Sequence, residues 1–433
     1  MTHDNPRSIA LELLIKAEKL GQYSNIALDK ALEGSSLSAP DKRLASVLFY
    51  GVTEKKITLD YRIAELSDRP IGSVDIQTLS ALRLGLYQLM FTDKIPPHAA
   101  INETVSLCSR KSSGFVNAIL RSHTRKPPMV LPSKESHPLE YLSVTYSVCK
   151  ELCNKFIEIY GFEKAEAIIK AFGEPPQTTL RVNTLVTSRD ELMKHIDGAV
   201  KTDISPVGLT VRGAIRDIYG FDEGMFFVQD EASQICVAAL DARQGMTVMD
   251  ICACPGSKSF GAGIDMKNEG KLYSFDLHSK KLPLIESGAK RLGISIISTR
   301  EQDGKLPLKE FFGCADRVLC DVPCSGFGVL AKKPELRYKS PDISKELPKV
   351  SLAILENASN YVKPEGVLVY STCTLFPEEN QNNVLAFLES HPEFELAPFT
   401  VGSLECKQGY ITLLPDEYPT DGFFIAKLKR KNT

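Results

Sequence analysis

Apolar residues in the first third of the chain recur at helical spacing. Ile9, Leu13, Leu14, Ala17 and Leu20 share one face, as do Leu44, Val47, Leu48 and Val52, and later Leu79, Leu82, Leu86, Leu89 and Met90. Asp41, just after Pro40, suits a helix cap, and Ile95-Pro96-Pro97 interrupts the helices before another run begins. Residues 1–126 therefore read as an all-α domain. Residues 127–147 carry Pro127, Pro128, Pro132 and Pro138, where helices cannot continue, and read as a linker. From 148 to 240 the pattern is mixed. Val148 to Phe172 looks helical, Gln177 to Leu185 alternates like a strand, Arg189 to Ile196 like a helix, and Leu209–Val211 and Met225–Val228 like short strands. That is a small α+β subdomain, closed by a helix from Gln229 to near Leu240.

From 241 to 433 the pattern becomes strand and helix in alternation. Strands are expected at Thr247–Ile251, Lys271–Asp276, Ile294–Ser298, Ala315–Asp321 and Gly366–Ser371; helices at Ser257–Met266, Ser279–Leu292, Ile343–Val362 and Glu378–Leu388. Such alternation predicts a Rossmann-like α/β domain with a mostly parallel, doubly wound sheet. Ile411–Leu414 and Gly422–Leu428 suit a closing antiparallel pair.

In such a sheet, ligands bind where strand C-termini meet loops. Four successive strands are followed by an acid there: Asp250, Asp276, Asp303 and Asp321. The loop Cys252-Ala253-Cys254-Pro255-Gly256-Ser257-Lys258 opens a helix, and its small residues let backbone amides approach a ligand. It is neither GxGxxG nor a P-loop, so alone it is compatible with a plain strand-to-helix turn. Asp276 falls where an acid commonly binds ribose hydroxyls, and an adenosine ligand accounts for three of the four acids. Two further strands empty into loops carrying cysteines, Cys324 in DVPCSGFG and Cys373 in YSTCTLFPEEN. Cys108, Cys236, Cys314 and Cys320 read as inert small hydrophobes. Cys324 and Cys373 differ because Ser, Thr, Gly and Pro surround them, where amides can stabilise a thiolate. No histidine is close to either in sequence, so a Cys-His hydrolase is poorly supported; His278 is the one histidine in a plausible loop.

Composition narrows the class. At 43% hydrophobic residues over 433 positions the chain can bury a sizeable core. No apolar run reaches membrane-span length, and Met1 to Gly21 lacks a signal-peptide pattern. Eleven irregularly spaced cysteines, with no CxxC pair, suit a reducing cytoplasm and no disulfide framework. The Cys252/Cys254 spacing is wrong for a zinc half-site, so no metal is expected. The net charge of −2 hides an asymmetry: residues 1–126 hold 17 Lys+Arg against 13 Asp+Glu. Thr104 to Lys134 contains Arg110, Lys111, Arg121, Arg125, Lys126 and Lys134 and no acid. A solvated face is the ordinary explanation of a charge run; a window this long and uncompensated equally suits a polyanion.

These blocks resemble the RsmB/Sun (Fmu) family of bacterial 16S ribosomal RNA cytosine-5 methyltransferases. Pro96–Val105 and Gly114–Arg121 are similar to its NusB-like RNA-binding domain, Leu180–Leu185 and Val228–Ser233 to its small subdomain, and the two cysteine motifs with Asp421–Leu428 to its catalytic core. The resemblance implies S-adenosylmethionine as cofactor, held by Cys252 to Lys258, with Asp276 on the ribose, Asp303 by the adenine, and Asp321 between cofactor and target base. It makes Cys373 the nucleophile and Cys324 a helper in product release. It implies a monomeric cytoplasmic enzyme, not membrane-bound, acting on one cytosine of 16S RNA before the small subunit is complete. Arg110, Lys111, Arg121, Arg125, Lys126, Arg181 and Asn183 are then candidate RNA contacts, while His98 and Asn102 are expected to buttress helix packing. The family loop usually has Ala and Gly where this chain has Cys254 and Ser257; if Ser257 needs φ > 0, serine costs affinity that glycine would not. Three alternatives stay open on sequence. Cys324 is the nucleophile if the thiol after the fourth strand acts as in DNA cytosine-5 methyltransferases, the substrate is another RNA such as tRNA, or the protein is a non-catalytic assembly factor.

Overall fold

A computed structural model describes residues 5–20, 25–213 and 215–432. It divides into two compact units: Met1–Ile169 with Lys333–Ser340, and Lys170–Lys332 with Pro341–Thr433.

The first unit is helical: α1 (Pro6–Leu20), α2 (Asn25–Glu33), α3 (Ala39–Glu54), α4 (Lys56–Leu66), α5 (Ile76–Phe91), α6 (Pro97–Ser106), α7 (Arg110–Arg125), α8 (Pro138–Tyr146), α9 (Lys150–Tyr160) and α10 (Phe162–Ala171), whose end crosses the boundary. Leu14, Leu48, Val52, Leu59, Ile63, Leu82, Leu86, Ile101, Val116 and Leu120 form its core. The helical periodicity therefore holds, although Leu20 and Val47 stay exposed. Ser38, not Asp41, caps α3: its hydroxyl accepts Asp41 N–H at 3.3 Å and donates to Asp41 Oδ2 at 2.6 Å, a reciprocal cap. The proline-bearing stretch 127–147 contains α8, because Pro138 sits in the first turn, where a missing N–H costs nothing. Helices α9 and most of α10 fall with this unit, although the pattern attached them to the α+β region. The short segment Lys333–Ser340 belongs here as well. Tyr338 Oη donates to Thr53 C=O at 2.5 Å, accepts Lys56 N–H at 3.3 Å and lies 3.0 Å from Ser147 Oγ.

The second unit begins with β1 (Thr178–Val182), α11 (Arg189–Met193), β2 (Val200–Lys201), β3 (Gly208–Val211) and β4 (Phe226–Val228), an antiparallel sheet in the order β2-β3-β1-β4. Then come α12 (Glu231–Leu240), β5 (Thr247–Asp250), α13 (Ser257–Asp265), β6 (Lys271–Asp276), α14 (Leu282–Arg291), β7 (Ile297–Glu301), β8 (Ala315–Asp321), α15 (Leu347–Ser359), β9 (Val362–Thr372), α16 (Gln381–Ser390), β10 (Phe394–Leu396), β11 (Phe399–Val401), β12 (Leu404–Cys406), β13 (Tyr410–Leu413) and β14 (Phe423–Arg430). The main sheet runs β10-β14-β9-β8-β5-β6-β7, with β13 on β14. Strands β5 to β9 are parallel and β14 is antiparallel to β9. Period-two alternation is visible in the packing. Val248, Leu319, Val367, Val369 and Ile425 join α12 and α13 in one core, while Met249, Val318, Cys320, Leu368, Tyr370 and Phe424 join α15 and α16 in the other. Among the boundaries that differ from the sequence reading, two have a plain cause. Ile294 N–H bonds back to Ala289 C=O, tying Ile294 to the end of α14, so β7 starts only at Ile297. Helix α15 starts at Leu347 because Pro348 is tolerated only in a first turn. Among the described residues no helix is long and apolar enough to cross a membrane.

Candidate active site

The sheet order reverses between β5 and β8, so their C-terminal ends open the crevice that parallel sheets use for ligands. Asp250 ends β5 and is buried. Its Oδ2 accepts Ser259 Oγ–H at 2.6 Å, and its Oδ1 has no partner among the described residues. Burial pushes this carboxyl up to about 7, against the pull of the Ser259 hydroxyl. In the loop that follows, Gly256 adopts φ 109°, and a Cβ there would lie 2.5 Å from the Phe260 ring. Ser257 has no positive φ; it is the first residue of α13, so the strain anticipated for a serine there is absent. Asp276, ending β6, accepts Cys254 N–H at 3.2 Å and His278 N–H at 2.9 Å. Asp303, beyond β7, accepts Lys305 N–H at 3.0 Å.

Lys258 behaves differently from the rest of its loop. Its buried ammonium turns to Asp321 Oδ2 at 2.6 Å and lies 5.2 Å from the Phe423 ring centroid. Burial opposes its charge, but Asp321 outweighs this and raises its pKa. Ser371 donates to the other Asp321 oxygen at 2.8 Å. Beside this pair the loops after β8 and β9 meet: Cys324 Sγ lies 3.2 Å from Cys373 Sγ, and Cys373 N–H donates to Cys324 Sγ at 3.3 Å. Neither sulfur is in a disulfide, and both residues are half-buried. The contact with Cys373, and then burial, raises the Cys324 pKa well above that of an ordinary thiol.

The structure thus gathers Asp250, the 252–258 loop, Asp276, Asp303, Asp321, Cys324 and Cys373 along one edge of the sheet.

Three comparisons bear on what this edge does. The family described as "16S rRNA methyltransferase RsmB/F" matches residues 237–429, the NusB family residues 4–125, and a ferredoxin-like domain of RsmF/B-like methyltransferases residues 150–216. "Probable ribosomal RNA small subunit methyltransferase B" of Bacillus subtilis is 36% identical over the whole of both chains. The chain belongs to the RsmB family. "Ribosomal RNA small subunit methyltransferase B" of Klebsiella pneumoniae is 30% identical over 99% of each chain. One solved crystal structure overlays 98% of this chain and 99% of its own at TM-score 0.81 and 29% identity. A methyltransferase homolog from Pyrococcus horikoshii overlays 68% of this chain and 99% of its own at TM-score 0.58 and 27% identity.

As an RsmB-family member the chain is an S-adenosylmethionine-dependent ribosomal RNA methyltransferase. The β5–β6 crevice fits that cofactor: it offers a buried carboxylate oxygen without a partner, a glycine whose Cβ would fill the turn, and an acid at the end of β6. Sequence reasoning placed Lys258 with the cofactor loop and missed its partner, as it missed Ser371, Ser325, Thr374 and Glu379. Only the acidic pair in FPEEN hinted at the last.

Two RNA candidates are corrected. Arg181 is 2% exposed and its Nη2 pairs with Asp265 Oδ1 at 2.6 Å; Asn183 is fully buried, donating to Gly224 and Leu292 carbonyls at 2.8 and 2.9 Å. Both side chains are buried and turned to internal partners, with Arg181 Nε left unpartnered, so neither presents a group to RNA. In the first unit, Arg110, Lys111, Arg121, Arg125 and Lys126 are exposed on α7 and its end, none paired with a carboxylate among the described contacts. His98 and Asn102 are exposed on α6 rather than buttressing it.

Proposed function

We propose that the protein methylates carbon 5 of a cytosine in 16S ribosomal RNA through a covalent adduct with Cys373, acting as a monomer before the small subunit is complete. The observation that carries this reading is the approach of two thiols, from separate strand ends, beside the Lys258–Asp321 pair. Cytosine carbon 5 is a poor nucleophile; a thiolate adding at carbon 6 makes it enamine-like, dividing one hard step in two. The Cys373 sulfur forms the bond to carbon 6, and electron density moves toward ring nitrogen 3. Asp321, already accepting two hydrogen bonds, suits the exocyclic amine as a further donor, and the Lys258 ammonium supplies positive charge where the ring becomes electron-rich. S-adenosylmethionine supplies the methyl group.

The carbon 5 proton must then leave so that the Cys373–carbon 6 bond can break. The raised pKa of Cys324 rests first on its contact with Cys373. Adduct formation turns Cys373 into an uncharged thioether and removes that contact. Cys324 then gives its proton to solvent more readily and, as the thiolate, directly or through a water takes the one from carbon 5. As it does so the Cys373–carbon 6 bond breaks and its electron pair returns to the Cys373 sulfur. Once unstacked, the target base reaches the thiols most cheaply from a loop or weakly paired region, and the α7 cations supply sequence-independent phosphate attraction.

The test is methyl transfer from labelled S-adenosylmethionine to unmodified 16S RNA, with nucleoside analysis. Label is expected in 5-methylcytidine, absent with Cys373→Ser, while Cys324→Ala retains a covalent protein–RNA adduct. Full turnover by Cys373→Ser with none by Cys324→Ser would exchange the two roles. Binding without transfer, to free RNA and to subunits alike, would favour an assembly factor.

A further inference from the structure

The two loops that carry the thiols are joined by groups that the proposed reaction does not consume. Glu379 lies between β9 and α16 and is fully buried. Its Oε2 accepts the N–H of Ser325 at 2.8 Å; its Oε1 accepts the Ser325 hydroxyl at 2.6 Å and the Thr374 hydroxyl at 3.4 Å. Ser325 immediately follows Cys324, and Thr374 immediately follows Cys373. The two hydroxyls also meet each other at 2.8 Å. One carboxylate therefore grips both cysteine loops one residue beyond each sulfur.

The neighbouring contacts hold Glu379 in turn. Tyr370 Oη donates to the Glu379 carbonyl at 2.5 Å, and Glu379 N–H bonds to Phe376 C=O. Asn380 braces the Cys373 loop on its other side, accepting from Thr372 Oγ1 and donating to Thr374 C=O at 2.9 Å. Gly328 N–H donates to Cys373 C=O at 2.9 Å, so the loop after β8 is tied again further on. Ser325, Tyr370, Thr372, Thr374, Glu379 and Asn380 are all buried, whereas the two cysteines are only half-buried.

We propose that Glu379 is a positioning residue that fixes the Cys324–Cys373 separation by clamping Ser325 and Thr374. The inference rests on the reading that both thiols act on one base, and deepens it. A buried carboxylate gripping three donors is costly to retain and hard to replace, because removal orphans a backbone N–H and two hydroxyls at once. A displacement of about 1 Å between reacting groups can cost about 100-fold in rate.

The experiment measures spacing separately from turnover. Dibromobimane, which fluoresces when it bridges two nearby thiols, is applied to the full chain, with Cys324→Ala and Cys373→Ala assigning the bridged pair. Wild type should bridge Cys324 to Cys373; Glu379→Ala should bridge them at least tenfold more slowly and lower kcat about 100-fold with KM for S-adenosylmethionine unchanged. Glu379→Gln, which can still accept Ser325 N–H and face both hydroxyls, should restore bridging and most of kcat. Wild-type bridging in Glu379→Ala overturns the proposal, whatever happens to turnover. If Glu379→Ala does not fold, Ser325→Ala/Thr374→Ala takes its place, and wild-type bridging there overturns it equally. Slow bridging in a protein with no cytosine activity would retain the clamp and remove the function it serves.

Discussion

The five exposed cations on α7 and its end make a prediction whose size follows from counting charges. Replacing Arg110, Lys111, Arg121, Arg125 and Lys126 with Gln removes them from one helix that has no acid in its first turn and none elsewhere along it. Each phosphate neutralised contributes about 0.7 to the slope of log affinity against log salt for single strands. If each cation meets one phosphate, the slope should fall by about 3 to 4. Over a fourfold rise in salt, wild type should then lose roughly 100-fold more affinity than the variant. Gly114 sharpens the test. It lies on the exposed face of α7, four residues after Arg110 and seven before Arg121, with helical φ, and a Cβ there meets nothing within 4 Å. Nothing inside the protein requires glycine, and in a helix it costs about 0.5–1 kcal/mol relative to alanine. A closely approaching phosphate backbone supplies a reason. Gly114→Ala should therefore raise the unfolding midpoint while weakening RNA binding, with the salt slope retained. The assay is fluorescence anisotropy with a labelled 16S fragment between 50 and 200 mM KCl. An unchanged slope in the fivefold variant would refute α7 as the RNA surface, and an unchanged affinity in Gly114→Ala would refute the close approach.

Two further perturbations test the two units separately. Burial holds Asp250 at about 7, above its unfolded value of 3.8, so the folded state binds the proton more tightly. The stability this contributes is present below about pH 4 and is lost as pH rises through about 7. At about 1.4 kcal/mol per pKa unit that is roughly 4 kcal/mol for the cofactor-free protein. Asp250→Asn should flatten the fall of the thermal midpoint between pH 5 and 8, and parallel curves for the two proteins would count against the unpartnered carboxyl. Tyr338→Phe removes a hydroxyl that meets Thr53, Lys56 and Ser147, which should cost the first unit about 1–3 kcal/mol. Native-state hydrogen exchange of α3 and α4 reads this directly, and protection within 0.5 kcal/mol of wild type would show those contacts to be dispensable.

Much of this architecture is written locally in the sequence. Alternation such as Val318-Leu319-Cys320 and Leu368-Val369-Tyr370 dictates two-faced burial in any sheet flanked by helices on both sides, and the observed cores follow it residue by residue. Because parallel strands all end on the same edge, placing the strands also placed Asp250, Asp276, Asp321, Cys324 and Cys373 together. What local pattern could not carry are partners chosen across the chain. Lys258 looks like a loop cation until it meets Asp321, 63 residues away. Arg181 and Asn183 look exposed because strands often present polar residues to water; they are buried because Asp265 and two backbone carbonyls satisfy them. The segment Lys333–Ser340 has no pattern of its own that would assign it to the helical unit. Glu379 is the sharpest instance. Within FPEEN it reads as the acidic start of a helix, which Asp and Glu favour for reasons of the helix dipole. Its burial can be understood only once Ser325, 54 residues earlier, is brought to it. The two thiols are thus placed by strand endings, and the loops that carry them are joined by a buried carboxylate whose donors arrive from both.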